Sequence, residues 1–412
     1  MRRLPLYGWL SAEAISLLGT RVSMIAIPWL VLVTTGSATR TGIVAAAELT
    51  PLVLLKAFGG PLVDRVGPRR VAITCDSASL VVVGLIPLLH ASGHLTFPAL
   101  LVLVALAGGL RGPGDAATAA LIPSLVASAG VSFERATGLS SAIERGATMI
   151  GAAIAGGLVA TIGAANAVAV DAVSFGLCAL VLLGTTGGLP RVTQEPTTEP
   201  TSYAGELRDG WHFLRHEPVL MSLSLMVAVT NLLDLAWSAV LMPVWARETG
   251  AGVGALGLVF AVWGGASMVG SLIAARWGER LPRFATYVVA FLVTGLPRFA
   301  FFALGVPVWA ILAMSLVGGC ASGFLNPVLG AVIYERIPPH LVGRVTSLNT
   351  ALCWSLMPLG GVLGGVLVTG FGFVPAVLAV GVAYFATTMA PTLLPRFREM
   401  DRPAVTETMQ PA

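Results

Sequence analysis

The sequence predicts an all-α integral membrane protein, with twelve transmembrane helices in two pseudo-symmetric six-helix bundles. Three observations lead there. Of 412 residues, 56% are hydrophobic and 11% charged, and the mean hydropathy is +0.87. A water-facing domain that apolar would aggregate. Lysine and arginine gather on alternate loops, and short stretches of the first half return in the second.

A spanning helix needs about 20 mostly apolar residues. Apolar runs between turn signals place twelve spans, centred near residues 20, 49, 80, 106, 148, 174, 231, 262, 292, 318, 356 and 383. Span 1 follows Met1-Arg2-Arg3, holds Glu13 and Arg21, and continues to Thr34, so the expectation is an uncleaved helix rather than a signal peptide. Spans 2 and 3 flank "GGPLVDRVGPRR" (Gly59–Arg70). Span 5 carries "GAAIAGG" (Gly151–Gly157) and span 6 "DAVSFGLCAL" (Asp171–Leu180). The polar stretch after span 6 opens with "GGLPRVTQEPTTEPTS", a flexible linker by its Pro, Thr and Glu content. Leu207, Trp211 and Leu214 then recur at i, i+4 and i+7, which predicts an amphipathic helix on the membrane surface. The final run, Val345–Pro395, has no Asp, Glu, Lys, Arg or His in 51 residues. It is too long for one span and fits two, with a turn near Gly370–Pro375.

Basic residues in short loops stay cytoplasmic. With twelve spans, the termini and the loops after even-numbered spans hold 17 of the 24 basic residues, and the opposite side holds Arg40 and Arg247. Both termini are therefore expected in the cytoplasm and the chain in the plasma membrane. The halves echo each other: "GGLVAT" at Gly156–Thr161 and "GGVLVT" at Gly364–Thr369, "RATGL" at Arg135–Leu139 and "RVTSL" at Arg344–Leu348, "SMIAIP" at Ser23–Pro28 and "SAVLMP" at Ser238–Pro243. Arg65-Val66-Gly67 likewise returns as Arg276-Trp277-Gly278. These echoes divide the chain into an N-terminal bundle (1–186), a cytoplasmic linker with its surface helix (187–216), a C-terminal bundle (217–395) and a tail (396–412). Parallel repeats of this kind place a substrate site at their interface.

The loop after span 2 resembles the cytoplasmic signature of the major facilitator superfamily, Gly-x-Leu-x-Asp-Arg-x-Gly-x-Arg-Arg. Gly60, Leu62, Asp64, Arg65, Gly67, Arg69 and Arg70 fall in place. "LGTRVSMIAIPWLV" (Leu18–Val31), "DAVSFGLCAL", "ELRDGWHFLRHEPVL" (Glu206–Leu220) and "LVGRVTSLNT" (Leu341–Thr350) are similar to its enterobactin-exporter-like and macrolide-efflux-like branch. The resemblance implies two rocking bundles. It also implies that Asp64 docks at the start of span 11 as a cytoplasmic gate, with the arginines meeting anionic lipid or acidic loops. Branch members often carry an acidic or amide residue where this chain has Thr20. The proline usual in the span-5 signature of the family's antiporters is Ala152 here.

A charge at the bilayer centre costs roughly 2.5–3.5 kcal/mol, so it faces a cavity or a partner. Glu48, mid-span 2, has no neutralising neighbour in sequence and is the first candidate for binding and releasing a proton; shaping the cavity field is the other reading. Glu13 in span 1 is a shallower candidate that can snorkel toward water. Arg111 and Asp115, four apart in span 4, can pair along one face; the resemblance gives Arg111 a proton-coupling role, and a neutral structural pair is the alternative. Gly108 and Gly112 beside them suit a close helix contact. Asp234 and Asn231 in span 7 are expected to point into the cavity, with Trp29, Trp237, Trp263, Phe324, Asn326 and Trp354 among its walls. Arg298 and the Glu144-Arg145 pair are read as structural.

Gly252–Gly257 matches a dinucleotide-binding glycine pattern, but it enters span 8 with no preceding strand, so helix packing is its reading. The histidine pairs His90/His94 and His212/His216 have no third ligand nearby in sequence, and the four cysteines lack metal-ligand spacing. No cofactor, metal or nucleic acid is expected. The expectation is a monomeric secondary transporter, no enzyme, that works with protons, lipid and a small-molecule substrate: proton-coupled export of a hydrophobic drug, antibiotic or siderophore-like compound. Uptake of a polar solute is the alternative, disfavoured by only two glutamines, Gln194 and Gln410, both outside the spans. A non-transporting receptor or scaffold is the rival from another class.

Overall fold

A computed structural model describes residues 3–58, 63, 65–131, 133–189, 203–277, 281–337, 341–395 and 397–398. Among them every regular element is a helix and none is a strand. Lipid offers no hydrogen-bond partners, so a spanning backbone must satisfy itself within the helix.

Span 1 is Leu4–Thr35, span 2 Ala38–Phe58 and span 3 Pro68–Ala91. Span 4 is Phe97–Ala120, continued by a short helix Ile122–Ala129. Spans 5 and 6 are Phe133–Ile162 and Ala164–Thr185. The surface helix is Tyr203–His216. Span 7 runs Pro218–Ala236, passes through a π turn at Trp237–Leu241, and ends as Met242–Glu248. Span 8 is Gly252–Trp277, and span 9 is broken into Arg283–Thr294 and Leu296–Ala303. Span 10 is Val308–Arg336, with Pro327 inside it. Span 11 comprises Val342–Trp354 and Met357–Phe371, and span 12 is Phe373–Met389. Eleven of these runs are apolar and long enough to cross a membrane by composition alone. Span 5 completes the twelve by length. Its apolar stretch is only Gly146–Ile162, because Glu134, Arg135, Glu144 and Arg145 occupy its first half.

Twelve crossings return the chain to its starting face, the arginine-rich one. There, Gly67 begins span 3 with φ of 94°, a conformation that favours glycine. Arg69 donates from Nε to Thr186 Oγ1 and from Nη2 to the Leu183 carbonyl, both at 2.9 Å. A cation thereby closes the negative end of span 6. This corrects the expected lipid or acidic-loop partner for Arg69; Arg65 and Arg70 are exposed. Gly60 and Asp64 lie outside the described residues. The surface helix is not merely laid on lipid: Leu214 is fully buried with Leu220, Ile337 and Val345 of the C-terminal bundle. Glu217 accepts from the Leu220 amide, capping span 7, and from Arg336 at 2.6 Å.

The two bundles meet through spans 2 and 11 and through spans 5 and 8. Both crossings are made on glycine. A Cβ on Gly361 would run into the Gly42 backbone, one on Gly365 into Ala38 and Thr39, and one on Gly156 into Gly257. Gly257 belongs to the glycine pattern that enters span 8, so helix packing is its use. The overlapping glycine pairs of span 11 serve two faces, since Gly360 and Gly364 abut span 7 at Leu232 and Ala236. These crossings all lie toward the face opposite the arginines, where Thr39 and Thr369 hydroxyls also meet at 2.7 Å. Nearer the arginine-rich face the halves are bridged by a long side chain, Lys56 over the Trp354 ring at 4.9 Å. The backbone-to-backbone closure by glycine thus belongs to the face opposite the arginines.

Gly361→Val forces a branched side chain into the Gly42 backbone. Overpacking of this kind costs about 1–3 kcal/mol. In a Thr39→Cys/Thr369→Cys background, the oxidised cross-link that forms readily without Gly361→Val is expected to be largely lost with it. Unchanged cross-linking yield, read by gel mobility, counts against the glycine contact as the closure of that face.

Candidate functional site

Three cavities run together through the centre. The middle one, about 360 Å³, is walled by both bundles: Arg21, Glu48, Lys56, Arg111 and Asp115 from one, Ser238, Phe260, Trp263, Trp354 and Met357 from the other. A second, about 420 Å³, lies within the C-terminal bundle and shares Ser238, Phe260 and Trp263 with the first. A third, about 270 Å³, lies within the N-terminal bundle and shares Lys56, Arg111 and Asp115. The residues of the middle cavity follow Gly42 and precede Gly361 and Gly156 in their spans. They therefore stand on the arginine-rich side of the glycine crossings.

Glu48 is placed by its backbone. Gly108 of span 4 lies so close that a Cβ there would overlap the Glu48 carbonyl, and Gly112 does the same against Leu52 and Lys56. The small-residue pair of span 4 is thus a seat for span 2, and it leaves the Glu48 side chain to the middle cavity. Among the described residues Glu48 makes no direct hydrogen bond or ion pair; Arg111 lines the same cavity. The C-terminal bundle repeats the seat. Gly319 presses on the Trp263 backbone and Gly323 on Ser267 and Gly270. By that register Trp263 answers Glu48, Ser322 answers Arg111 and Asn326 answers Asp115. One scaffold thus presents charge from one half and aromatic or neutral polar groups from the other.

Several pairings differ from expectation. Asp115 does not pair with Arg111; its Oδ2 is 3.4 Å from Lys56 Nζ. The seat on span 2 brings Lys56 alongside, which a reading confined to span 4 misses. Glu13 does not snorkel to water. Its Oε1 accepts from Ser140 of span 5 at 2.6 Å, and its Oε2 is buried without a partner, in the N-terminal cavity. Asp234 lines the C-terminal cavity as expected, but it is paired: Arg298 Nη2 is 2.8 Å from its Oδ1. Arg298, 64 residues away in sequence, is 8% exposed, and its guanidinium lies over Phe299 at 4.5 Å, Tyr384 at 4.9 Å, Trp263 at 5.1 Å and Trp237 at 5.7 Å. Cation–π contacts strengthen when desolvated, so the aromatic cage and the carboxylate together hold the charge.

Asn231 donates to the Cys353 carbonyl at 2.9 Å and lines the C-terminal cavity with Trp237 and Asn326. Trp263 lines two cavities and Trp354 the middle one. Trp29 and Phe324 line neither of these two. Each follows a residue committed to a face, Pro28 to the cavity and Gly323 to span 8, and neighbours on a helix point about 100° apart. Trp29 packs against the main core instead.

Two carboxylates were absent from the sequence candidates. Asp171 in span 6 is 3% exposed, accepts from Ser23 at 2.5 Å and is also reached by the Ser174 hydroxyl. Asp76 in span 3 lines the N-terminal cavity. The signal for both was the one used for Glu48, a charge inside an apolar run.

The sequence profile of the Major Facilitator Superfamily matches residues 9–236 and 224–410. The chain is 32% identical to a multidrug efflux pump, Tap, of Mycobacterium tuberculosis (strain ATCC 25618 / H37Rv), over 96% of this chain and 95% of that one. Tap of Mycolicibacterium fortuitum is 28% identical over 97% and 98% of the two chains. Among solved structures, the nucleoside transporter NupG superposes with a TM-score of 0.75 at 14% identity, over 98% of this chain and all of that one, which speaks to fold alone. With two glycine-seated bundles, a cavity between them and a profile match over nearly its whole length, this chain belongs to the Major Facilitator Superfamily.

Proposed function

We propose that the protein is a proton-coupled exporter of hydrophobic small molecules, seated in the plasma membrane with both termini in the cytoplasm. One observation carries the reading most: among the described residues Glu48 stands without a direct partner, in a mostly apolar cavity shared by both bundles. Likeness to the Tap efflux pumps supports the direction of transport. The arginine distribution supports the orientation, and with it the middle cavity opens to the cytoplasm.

In this reading cargo leaves the inner leaflet or cytoplasm for the walls formed by Phe260, Trp263, Trp354 and Met357. Glu48 carries the exchange. Protonated, it is neutral and tolerates an apolar neighbour; ionised, its charge calls for water or for Arg111. Proton and cargo thus compete for one cavity, which is antiport when the bundles alternate. One proton crossing 100 mV supplies about 2.3 kcal/mol, a gradient of roughly fiftyfold. Asp234 has a different part. Bound to Arg298, it fixes the aromatic cage that forms the cavity's C-terminal wall.

Two measurements test these roles. In proteoliposomes, Glu48→Gln is expected to abolish efflux of a hydrophobic dye driven by a pH gradient, while downhill exchange of the same dye persists. Full pH-driven efflux by that variant removes Glu48 from coupling. Asp234→Asn is expected to destabilise by roughly 1–3 kcal/mol, less than a fully buried broken pair because Asp234 is 42% exposed. Arg298→Gln added to it is expected to recover most of the loss in thermal midpoint, since no charge is then left alone.

A further inference from the structure

Lys56 occupies a place that fits a different kind of molecule. Its ammonium is 3.4 Å from Asp115 Oδ2 on one side and 4.9 Å above the Trp354 ring on the other. A carboxylate facing an aromatic ring is the arrangement that recognises an organic cation. The lysine and aspartate side chains are 38% and 42% exposed, so the pair opens on the cavity and is not a sealed strut. Ion pairs this exposed are weak. Lysine also carries its charge on a flexible stem, and Lys56 sits in the last turn of span 2, beside the arginine-rich mouth, where the ammonium has water to withdraw to.

The surrounding charge points the same way. The middle and N-terminal cavities, which share Lys56, Arg111 and Asp115, hold five carboxylates: Glu13, Glu48, Asp76, Asp115 and Glu144. Against them stand three cations, Arg21, Lys56 and Arg111. Removing the lysine ammonium takes away one of those three cations and leaves Asp115 facing the ring alone.

We propose that Asp115 and Trp354 form a subsite for a lipophilic organic cation, which the Lys56 ammonium fills while the cavity is empty. The lysine is a tethered stand-in that an incoming cation displaces. Asp115 belongs to one bundle and Trp354 to the other, so a cation seated there bridges the two. The proposal rests on the reading of the middle cavity as the cargo chamber, and it adds the chemistry of one wall.

The test is equilibrium binding to the purified full-length protein in detergent, with no gradient, using tetraphenylphosphonium and, as its neutral counterpart, triphenylphosphine oxide. Lys56→Ala is expected to bind the cation at least about fivefold more tightly than the unaltered protein, the scale of one cation–π contact. The neutral probe should bind both alike. Lys56→Arg should leave cation affinity near its original value, because the guanidinium fills the same place. Adding Asp115→Asn or Trp354→Leu to Lys56→Ala should each erase the gain. Lys56→Met, which keeps the stem and removes the charge, serves where the alanine variant does not purify as a monodisperse protein. Three results overturn the proposal: no tighter cation binding without Lys56, an equal gain for the neutral probe, or a gain that survives Trp354→Leu. The outcome is independent of Glu48. Efflux of neutral compounds alone, driven by pH, leaves the exporter reading standing and removes the cation subsite.

Discussion

Close contact of helix backbones at glycine governs this structure. Where Gly361 meets Gly42 and Gly156 meets Gly257, two pairs of spans touch with no side chain between them. In lipid, helices gain little from burying apolar surface against each other, so association depends on how closely they fit. A glycine crossing supplies that fit at one point and lets the rods diverge on either side of it. The Thr39–Thr369 hydroxyl contact lies at the closed end, and the middle cavity lies on the other. The same device acts inside each bundle, where Gly108 and Gly112 seat span 2 and Gly319 and Gly323 seat span 8. The shape of the cavity is thus a consequence of where Cβ atoms are missing.

Charge is the second constraint, and it has been divided unequally between two copies of one scaffold. Equivalent positions on spans 2 and 8 hold Glu48 and Trp263; on spans 4 and 10 they hold Arg111 and Ser322, then Asp115 and Asn326. Most charges in the spans have found partners. Asp171 has Ser23, Glu13 has Ser140, Asp115 has Lys56 and Asp234 has Arg298. Glu48 and Arg111 have no direct one among the described residues, and Arg21 in the same wall reaches only the Met24 sulfur, its Nε buried without a partner among them. Intramembrane charge without a partner is costly to keep. These three stand together in the wall that both bundles build.

Much of this was legible in the sequence, because membranes simplify the code. Apolar runs mark the spans and arginines mark one face. The glycine pattern entering span 8 read as helix packing, and its Gly257 sits at a crossing between the bundles. The span-4 glycines read the same way and form the seat beneath Glu48. Partnership was not legible. Asp115 and Lys56 are 59 residues apart and Asp234 and Arg298 are 64 apart; nothing in either local stretch names the other. A local reading therefore paired Asp115 with the arginine one turn away and left Asp234 free. Faces also escaped it where a single residue decides: Trp29 and Phe324 have the right chemistry for a cavity wall but stand one step, about 100°, off the face that lines it.

The irregular helices fall almost wholly in the C-terminal bundle. Span 7 takes a π turn at Trp237–Leu241, span 9 breaks at Gly295, and span 11 interrupts its helix between Trp354 and Met357. A π turn shifts the register of all that follows, and such turns gather at functional sites. Here the turn begins three residues after Asp234 and rotates Trp237 into the cage around Arg298. The break in span 9 falls three residues before Arg298 itself, and the cage adds Phe299 from the same short helix. Two interruptions on separate spans thus converge on a single ion pair. The span-9 break sets the direction of Arg298 and the span-7 turn that of Trp237 in its cage, so the buried charge of Arg298 and the irregular backbone around it belong together. The N-terminal bundle, whose described spans are interrupted at Leu121 of span 4, positions Glu48 and Lys56 by the seat between spans 2 and 4 instead.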